Sequence, residues 1–399
     1  MTTTLPPSMG DFGRTRFELD PAFGRLRRDG PVARVRLPDG GLGWLVTGWE
    51  EARRVLADPA FSRELAVGRS TGAQRRETFI TDIDPPEHTR VRRKAVRAFT
   101  HRRVQLLRPR VEEIVDELLT AMIEAGPPAD LAAAFSLPLP VTVICELLGV
   151  PAEDRMRFQG WSDAFLSVSA YTPEEVRTAH AALDAYLTAL IEERRAAPAD
   201  DLLSALVHVR DEEGGLTEDE LVNLGVGLLI AGYETTASQI TNLTYTLLTR
   251  EEHWRRLRAD PGLVPTALEE LLRFVPLGSD TGMPRIAARD VELGGMVIGA
   301  GDTVLVARPA ANRDEKVFDD PEALVLDRTD NPHLAFGHGI HHCLGAHLAR
   351  LELQTAIGAV LRRLPTLRLA VPPDELRWKT GLSVRGLNEL PVTWTRENA

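Results

Sequence analysis

Cys343 lies in the segment Phe336-Gly-His-Gly-Ile-His-His-Cys-Leu-Gly-Ala346, directly ahead of the helical pattern His347-Leu-Ala-Arg-Leu-Glu-Leu353. A thiol at the entrance to a helix meets the positive end of the helix dipole and free backbone N–H groups, and both stabilise a thiolate. Gly337, Gly339 and Gly345 let the backbone turn sharply and approach another group closely. A buried structural cysteine would not need them. A zinc site built from His338, His341, His342 and Cys343 is a weak rival, because all four fall within six residues and no second ligand cluster is apparent. The other cysteine, Cys145, sits in the apolar helical stretch Val141-Thr-Val-Ile-Cys-Glu-Leu-Leu-Gly149 and reads as a buried thiol. Two cysteines 198 residues apart exclude a disulfide framework and a CxxC-type zinc or iron–sulfur site.

A cysteine of this kind needs elements to hold it. The periodicity predicts helices over 85–99, 102–125, 173–195, 216–249, 263–275 and 343–363. Val32–Leu37 and Gly43–Thr47 read as strands joined by Pro38-Asp-Gly-Gly41, and 285–307 as further strands with Gly-rich turns. Residues 308–342 read as irregular. The chain is therefore mainly α, with a small β portion. The helix at 216–249 opens with a capping box, Thr217 and Glu220. It would span about 50 Å and run through the middle of the molecule. Its centre holds Gly225, Gly227, Ala231, Gly232, Thr235 and Thr236. Glycine costs up to about 1 kcal/mol in a helix interior. Two explanations stand: close packing against another element, or a large flat object pressed against this face.

Composition narrows the classes. The chain has 399 residues, 43% hydrophobic and 26% charged, an ordinary globular mixture. A net charge of −11 argues against a general nucleic-acid binder. Arginine supplies 44 of the 47 basic residues, with only Lys94, Lys316 and Lys379 as lysines. No segment has the roughly 18 apolar residues that span a bilayer, and the N-terminus lacks signal-peptide character. The expectation is a soluble, cytoplasmic protein off the membrane.

Phe336, Gly339, His341, Cys343 and Gly345 match F-x-x-G-x-(H/R)-x-C-x-G, and on them the chain resembles the cytochrome P-450 superfamily, in its bacterial, soluble form. Three further segments agree. Ala231-Gly-Tyr-Glu-Thr235 resembles A-G-x-(D/E)-T of the family's long central helix. Asp84-Pro-Pro-Glu-His-Thr-Arg-Val-Arg92 resembles D-P-P-x-H-x-x-x-R. Glu270 and Arg273 fit the E-x-x-R pair, selected from several such spacings by their position ahead of Cys343. The likeness runs from about residue 30 to 397, and residues 1–25 carry little of it. Ile298-Gly-Ala-Gly301 stands where members often have I-P-A-G, a loosened turn away from the chemistry.

The resemblance implies a single domain, 1–399, with haem b between the long helix and the cysteine loop. Cys343 would be the axial thiolate ligand of the iron, with Phe336, Gly345 and Ala231 near the haem. His88, Arg92, Arg285 and His341 would neutralise the propionates. Glu270 and Arg273 would brace the loop as a buried ion pair. Glu234 and Thr235 would deliver protons to dioxygen, the Thr235 hydroxyl bonding back to a carbonyl and opening the helix. A packing threonine beside an exposed glutamate is the plainer alternative.

The implied reaction is a monooxygenation: one atom of O2 enters a hydrophobic organic substrate, by hydroxylation or epoxidation. A secondary metabolite such as a polyketide or terpenoid fits the family's bacterial members. Gly227, Ile230, Thr281, Met283 and Val384 are the substrate-pocket candidates, and 64–83 and 165–175 the expected mobile entrance. With no flavin or iron–sulfur module in the chain, electrons would come from a ferredoxin or similar donor and its reductase. The protein is expected to be monomeric. The stretch from His88 to Arg110 holds nine Arg or Lys and no acid, a candidate docking face for an acidic ferredoxin. A haem-thiolate oxidase that couples or rearranges its substrate, and a non-catalytic haem sensor, are the alternatives. The Glu234–Thr235 pair speaks against both.

Overall fold

The turn Pro38–Gly41 reverses the chain as expected: Gly40 takes φ 85°, and Leu37 and Gly41 close the loop with a 2.8 Å hydrogen bond. The flanking segments pair antiparallel, Val32–Arg36 against Leu42–Val46. These residues belong to a computed structural model that describes residue 8 and residues 17–67, 79–96, 99–213, 215–278 and 281–395. Residues 68–78 of the expected entrance, 97–98 of the first expected helix and most of the N-terminal 25 residues lie outside the described residues. The chain divides into two compact units, Met1–Thr89 with Glu269–Cys343, and Arg90–Leu268 with Leu344–Ala399.

The first unit holds the larger sheet. Its strand order is Val32–Arg36, Leu42–Val46, Thr303–Val306, Arg285–Ala287, Phe61–Ser62. Leu42–Val46 and Thr303–Val306 run parallel, and Gly43 is what lets them meet, since a Cβ there would lie 3.0 Å from the Thr303 carbonyl. Arg285 is held opposite Val304 on an inner strand. A separate hairpin joins Val291–Leu293 to Met296–Ile298 through Gly294 and Gly295, both at positive φ, the arrangement a two-residue hairpin turn favours. Val46, Trp49, Phe61, Ile298, Val304 and Phe318 form part of the core. The stretch expected to be irregular contains a short helix, Arg308–Ala311, and a 3-10 turn, Gly339–His341.

The second unit is built on the helix Glu218–Leu248. Its expected capping box is present, with Thr217 accepting from Glu220 N and Glu220 accepting from Thr217 N. The helix is buried almost all round and packs against Pro138–Leu148, Pro173–Ala196 and Ala346–Arg363. Its buried face includes Glu234, Gln239, Asn242 and several threonines, and Thr241, Thr244 and Thr246 satisfy their hydroxyls on carbonyls one turn earlier. The stretch 102–125 is two helices, His101–Leu106 and Arg108–Ala125. Pro109 is the reason: inside one helix it would lose a hydrogen bond and clash with the preceding turn, whereas in the first turn of a new helix it is tolerated. The last long helix starts at Ala346 with Gly345 as its N-cap, three residues later than expected. A small sheet joins Ala129–Asp130, Pro391–Thr393 and Arg368–Leu369. Among the described residues no helix is long and apolar enough to cross a membrane.

Candidate active site

The cysteine loop is shaped by its glycines and its own backbone hydrogen bonds. Gly337 and Gly339 take φ 76° and 70°, which residues with a Cβ rarely adopt. Cys343 N donates to Phe336 O at 2.9 Å and His342 N to Gly339 O at 3.0 Å, so the chain curls back on itself. A Cβ on Gly339 would lie 2.5 Å from the Leu56 carbonyl oxygen. The thiol of Cys343 is exposed and forms no disulfide. Phe336 is half-buried, 6.4 Å from the His342 ring. His88 is buried, and its ring lies 4.4 Å from that of His341, so two of the proposed propionate partners are neighbours. Among the described residues no His, Cys, Asp and Glu cluster could hold a metal ion, which leaves zinc without support.

Arg285 is 5% exposed and donates to Phe61 O at 3.0 Å. Burial, with Arg63 and Arg308 beside it, pushes its guanidinium down to about 10. Arg308 stands at the head of a helix that was not foreseen. It reaches Ala335 O at 3.4 Å, one residue before Phe336. Burial lowers its pKa too, and Cys343 is the neighbour that opposes the shift. Among the described residues neither arginine forms an ion pair. Sequence reasoning named Arg285 and did not name Arg308, because the segment around Arg308 showed no periodicity. Met283 is half exposed, with its sulfur 3.2 Å from Arg63 Nη2, and Thr281 is half-buried.

Glu270 and Arg273 are fully buried and bidentate, Nε–Oε2 and Nη2–Oε1 both 2.8 Å. Arg273 also donates to the carbonyls of Asn312, Pro321 and Ala323 at 2.7–2.8 Å. Glu270 accepts from Val325 N, Arg328 and Asn331 at 2.8–3.1 Å. Asn312 in turn accepts from Leu334 N at 2.7 Å. The pair thus pins the irregular chain that leads to the cysteine loop. Asn312, Arg328 and Asn331 carry no pattern that sequence reasoning could have caught.

In the second unit, Thr235 Oγ1 donates to Ala231 O at 2.6 Å, as expected for a mid-helix threonine. The helix nevertheless runs unbroken through this turn. Thr244 and Thr246 make similar bonds at 2.8 Å, so the bond alone does not open a helix. Two of the glycines are explained by close packing. A Cβ on Gly225 would meet Leu187 at 3.0 Å, and one on Gly232 would meet Ile144 at 3.0 Å. Ala231 is exposed, Gly227 and Thr235 are half-buried, and Ile230 is buried. Glu234 is 1% exposed and is not an exposed surface carboxylate. Arg92 is half-buried, Val384 is buried, and Gly345 caps the last helix. Cys145 is fully buried, and burial pushes its thiol up to about 12, an inert core residue.

The cytochrome P-450 family model matches residues 30–261 and 262–386. The chain is 50% identical over 382 residues to nocardicin C N-oxygenase of Nocardia uniformis subsp. tsuyamanensis, covering 94% of this chain and 96% of that protein. It is also 50% identical over 375 residues to mycinamicin IV hydroxylase/epoxidase of Micromonospora griseorubida, covering 93% and 94%. The crystal structure of the cytochrome P-450 hydroxylase of the leinamycin biosynthetic pathway of Streptomyces atroolivaceus aligns with a TM-score of 0.92 at 50% identity, over 97% of this chain and 100% of that one. The chain belongs to the cytochrome P-450 family. It is a monooxygenase that binds haem b, uses O2 as co-substrate and acts on a small molecule.

The residues present suit that cofactor. Haem brings an iron that takes a thiolate ligand and two carboxylates that take cations. The first unit offers an exposed thiol on a glycine-shaped loop, and the guanidinium groups of buried Arg285 and half-buried Arg308, which have no carboxylate partner among the described residues. Leaving a buried cation unpaired is costly, so such groups fit a site completed by an anionic ligand.

Proposed function

We propose that the whole chain works as one haem-thiolate monooxygenase domain that hydroxylates or epoxidises a hydrophobic secondary metabolite such as a polyketide or terpenoid. The observation that carries this reading is the exposed Cys343 thiol with Arg308 against its loop, at Ala335 O, and Arg285 near Arg308. The relatives' names attach N-oxygenation to nocardicin C and hydroxylation or epoxidation to mycinamicin IV. Cys343 would ligate the iron, and His88, Arg92, Arg285, Arg308 and His341 would hold the propionates. Bound haem supplies the site at which dioxygen is activated. Glu234 holds and passes protons at its carboxyl, and Thr235 orients them through its hydroxyl. Gly227, Ile230, Thr281, Met283 and Val384 shape the substrate site, with Phe336, Ala231 and Gly345 lining the haem.

The working form is taken to be a cytoplasmic monomer served by a ferredoxin and its reductase. Within the basic stretch, Arg90 pairs with Glu220, and Arg108 and Arg110 pair with glutamates of their own helix or of Pro138–Leu148. Exposed Arg93, Arg102 and Arg103 remain for an acidic partner.

The test is the reduced carbon-monoxide spectrum. The red-shifted thiolate band is expected, and Cys343→Ala should abolish it. A band at the histidine-ligated position would overturn the reading. Turnover under isotopic dioxygen with a surrogate ferredoxin should then put one labelled oxygen into product. Unlabelled product would favour the oxidase instead.

A further inference from the structure

Glu234 does not bond to its neighbour Thr235. Its Oε1 accepts from Lys379 Nζ, and from Ser238 Oγ at 3.0 Å. Lys379 Nζ also lies 3.2 Å from Ser238 Oγ. Lys379 is one of only three lysines in the chain, and its side chain is 13% exposed. The other carboxylate oxygen, Oε2, is buried and has no hydrogen-bond partner among the described residues.

These groups line a cavity of about 160 Å³ within the second unit. A second carboxyl, Asp163 of the helix Arg155–Phe165, faces the same cavity. Ser238, Thr241 and Asn388 add polar groups to a lining that Ala132, Leu137, Ala237 and Leu387 complete with apolar ones. A water needs roughly 10–15 Å³ and two or more polar partners, so the cavity accommodates several. Asp163 is half-buried. Burial, then the charge of Glu234, pushes its pKa up to about 6, while Lys379 pulls it down. Tyr171 and Tyr233 are the other titratable groups whose charge couples to Asp163, and both titrate above their usual range. Asp163 therefore holds a proton more firmly than an ordinary aspartate does.

We propose that this cavity is the proton inlet of the enzyme: Asp163 takes protons from solvent, water in the cavity carries them to Glu234, and Lys379 is the positioning residue that keeps Glu234 on the path. In each passage the Asp163 O–H breaks, a proton moves along the water, and a new O–H forms on Glu234. The Asp163 carboxylate then takes a proton from solvent. No electrons move. The inference rests on the reading of Glu234 as the proton-delivering acid.

The holoenzyme, reduced by a surrogate ferredoxin and reductase, tests it with dioxygen as the probe and no organic substrate. Oxygen uptake and peroxide release are followed from pH 5 to 9 in H2O and D2O, after the carbon-monoxide band has verified each variant's haem site. The wild type should divert more oxygen to peroxide as pH rises through about 6, where Asp163 loses its proton. Asp163→Asn should remove that limb. Lys379→Met should change the solvent isotope effect and cut four-electron reduction of oxygen roughly tenfold, below the span a positioned proton donor supplies. Lys379→Arg should restore both. If Glu234→Gln alters peroxide release while Asp163→Asn and Lys379→Met keep the wild-type pH profile and isotope effect, the inlet is wrong and Glu234 keeps its role. If Glu234→Gln changes nothing, the underlying reading falls with it.

Discussion

Arg273 and Glu270 meet through two 2.8 Å hydrogen bonds with neither side chain exposed to solvent. Removing one partner of a buried pair strands the other charge, which costs about 3–5 kcal/mol. Here the loss also frees the carbonyls of Asn312, Pro321 and Ala323 from their shared donor. Glu270→Ala and Arg273→Ala should each lower stability to urea by that amount and reduce haem content. The double variant should cost less than the two single losses added, because one interaction is removed twice. Additive losses would mean that the residues act separately.

Arg285 and Arg308 give a prediction with opposite signs in two forms of the protein. Each is a desolvated cation without an ion pair among the described residues. Replacing Arg285 by leucine should stabilise the haem-free protein, since a buried unpaired charge disappears, and replacing the half-buried Arg308 should do so less. The same change should speed haem transfer to apomyoglobin about 10- to 100-fold, the equivalent of one charged hydrogen bond. Arg289→Leu, at an exposed position, is the control and should do neither. Unchanged haem transfer in Arg308→Leu would remove it from the propionate set.

Arg308 also marks where sequence reading stopped. Fixed local spacing made Cys343, Glu234–Thr235 and His88–Arg92 legible, because helices and tight loops impose it. Thr217 and Glu220 likewise announced the long helix. What was hidden depends on contacts far apart in the chain. Lys379 meets Glu234 across 145 residues, and nothing in its own segment signals a buried lysine. Arg328 and Asn331 reach Glu270 from a loop without periodicity. The glycines of the long helix carried two meanings at once. Gly225 and Gly232 belong to packing against Leu187 and Ile144, a choice that only the packed neighbours could make.

Gly339 and Gly345 look equivalent in the signature and differ in the structure. Gly339 has φ 70°, and a Cβ there would meet backbone atoms of Leu56 and Ala57 at 2.5–2.7 Å, which cannot shift as a side-chain tip can. Gly345 has φ −86° and nothing within 4 Å of a Cβ. Gly339→Ala should cost at least the 1–3 kcal/mol typical of a strained backbone site and displace the loop, lowering haem content. Gly345→Ala should leave the stability of the haem-free protein nearly unchanged. Its effect on the holoprotein, read from haem content, then reports on space beside the cofactor alone.

Glu352, on the helix Ala346–Arg363, is 2% exposed, and its Oε2 has no hydrogen-bond partner among the described residues. Burial pushes its pKa from the ordinary 4.5 up to about 8. The folded chain therefore holds this proton over a range of pH in which the unfolded chain has released it. Stability from this group is complete below about 4.5 and is lost progressively as pH rises toward 8. A tenfold difference in proton affinity between the folded and unfolded chain is about 1.4 kcal/mol, so the total is a few kcal/mol. Glu352→Gln keeps the shape and removes the titration. Its stability relative to the wild type should rise between pH 5 and 8 and level off above, with little difference at pH 4. Urea unfolding across that range measures it, and a pH-independent difference would mean that Glu352 ionises in the folded protein as it does in the unfolded chain.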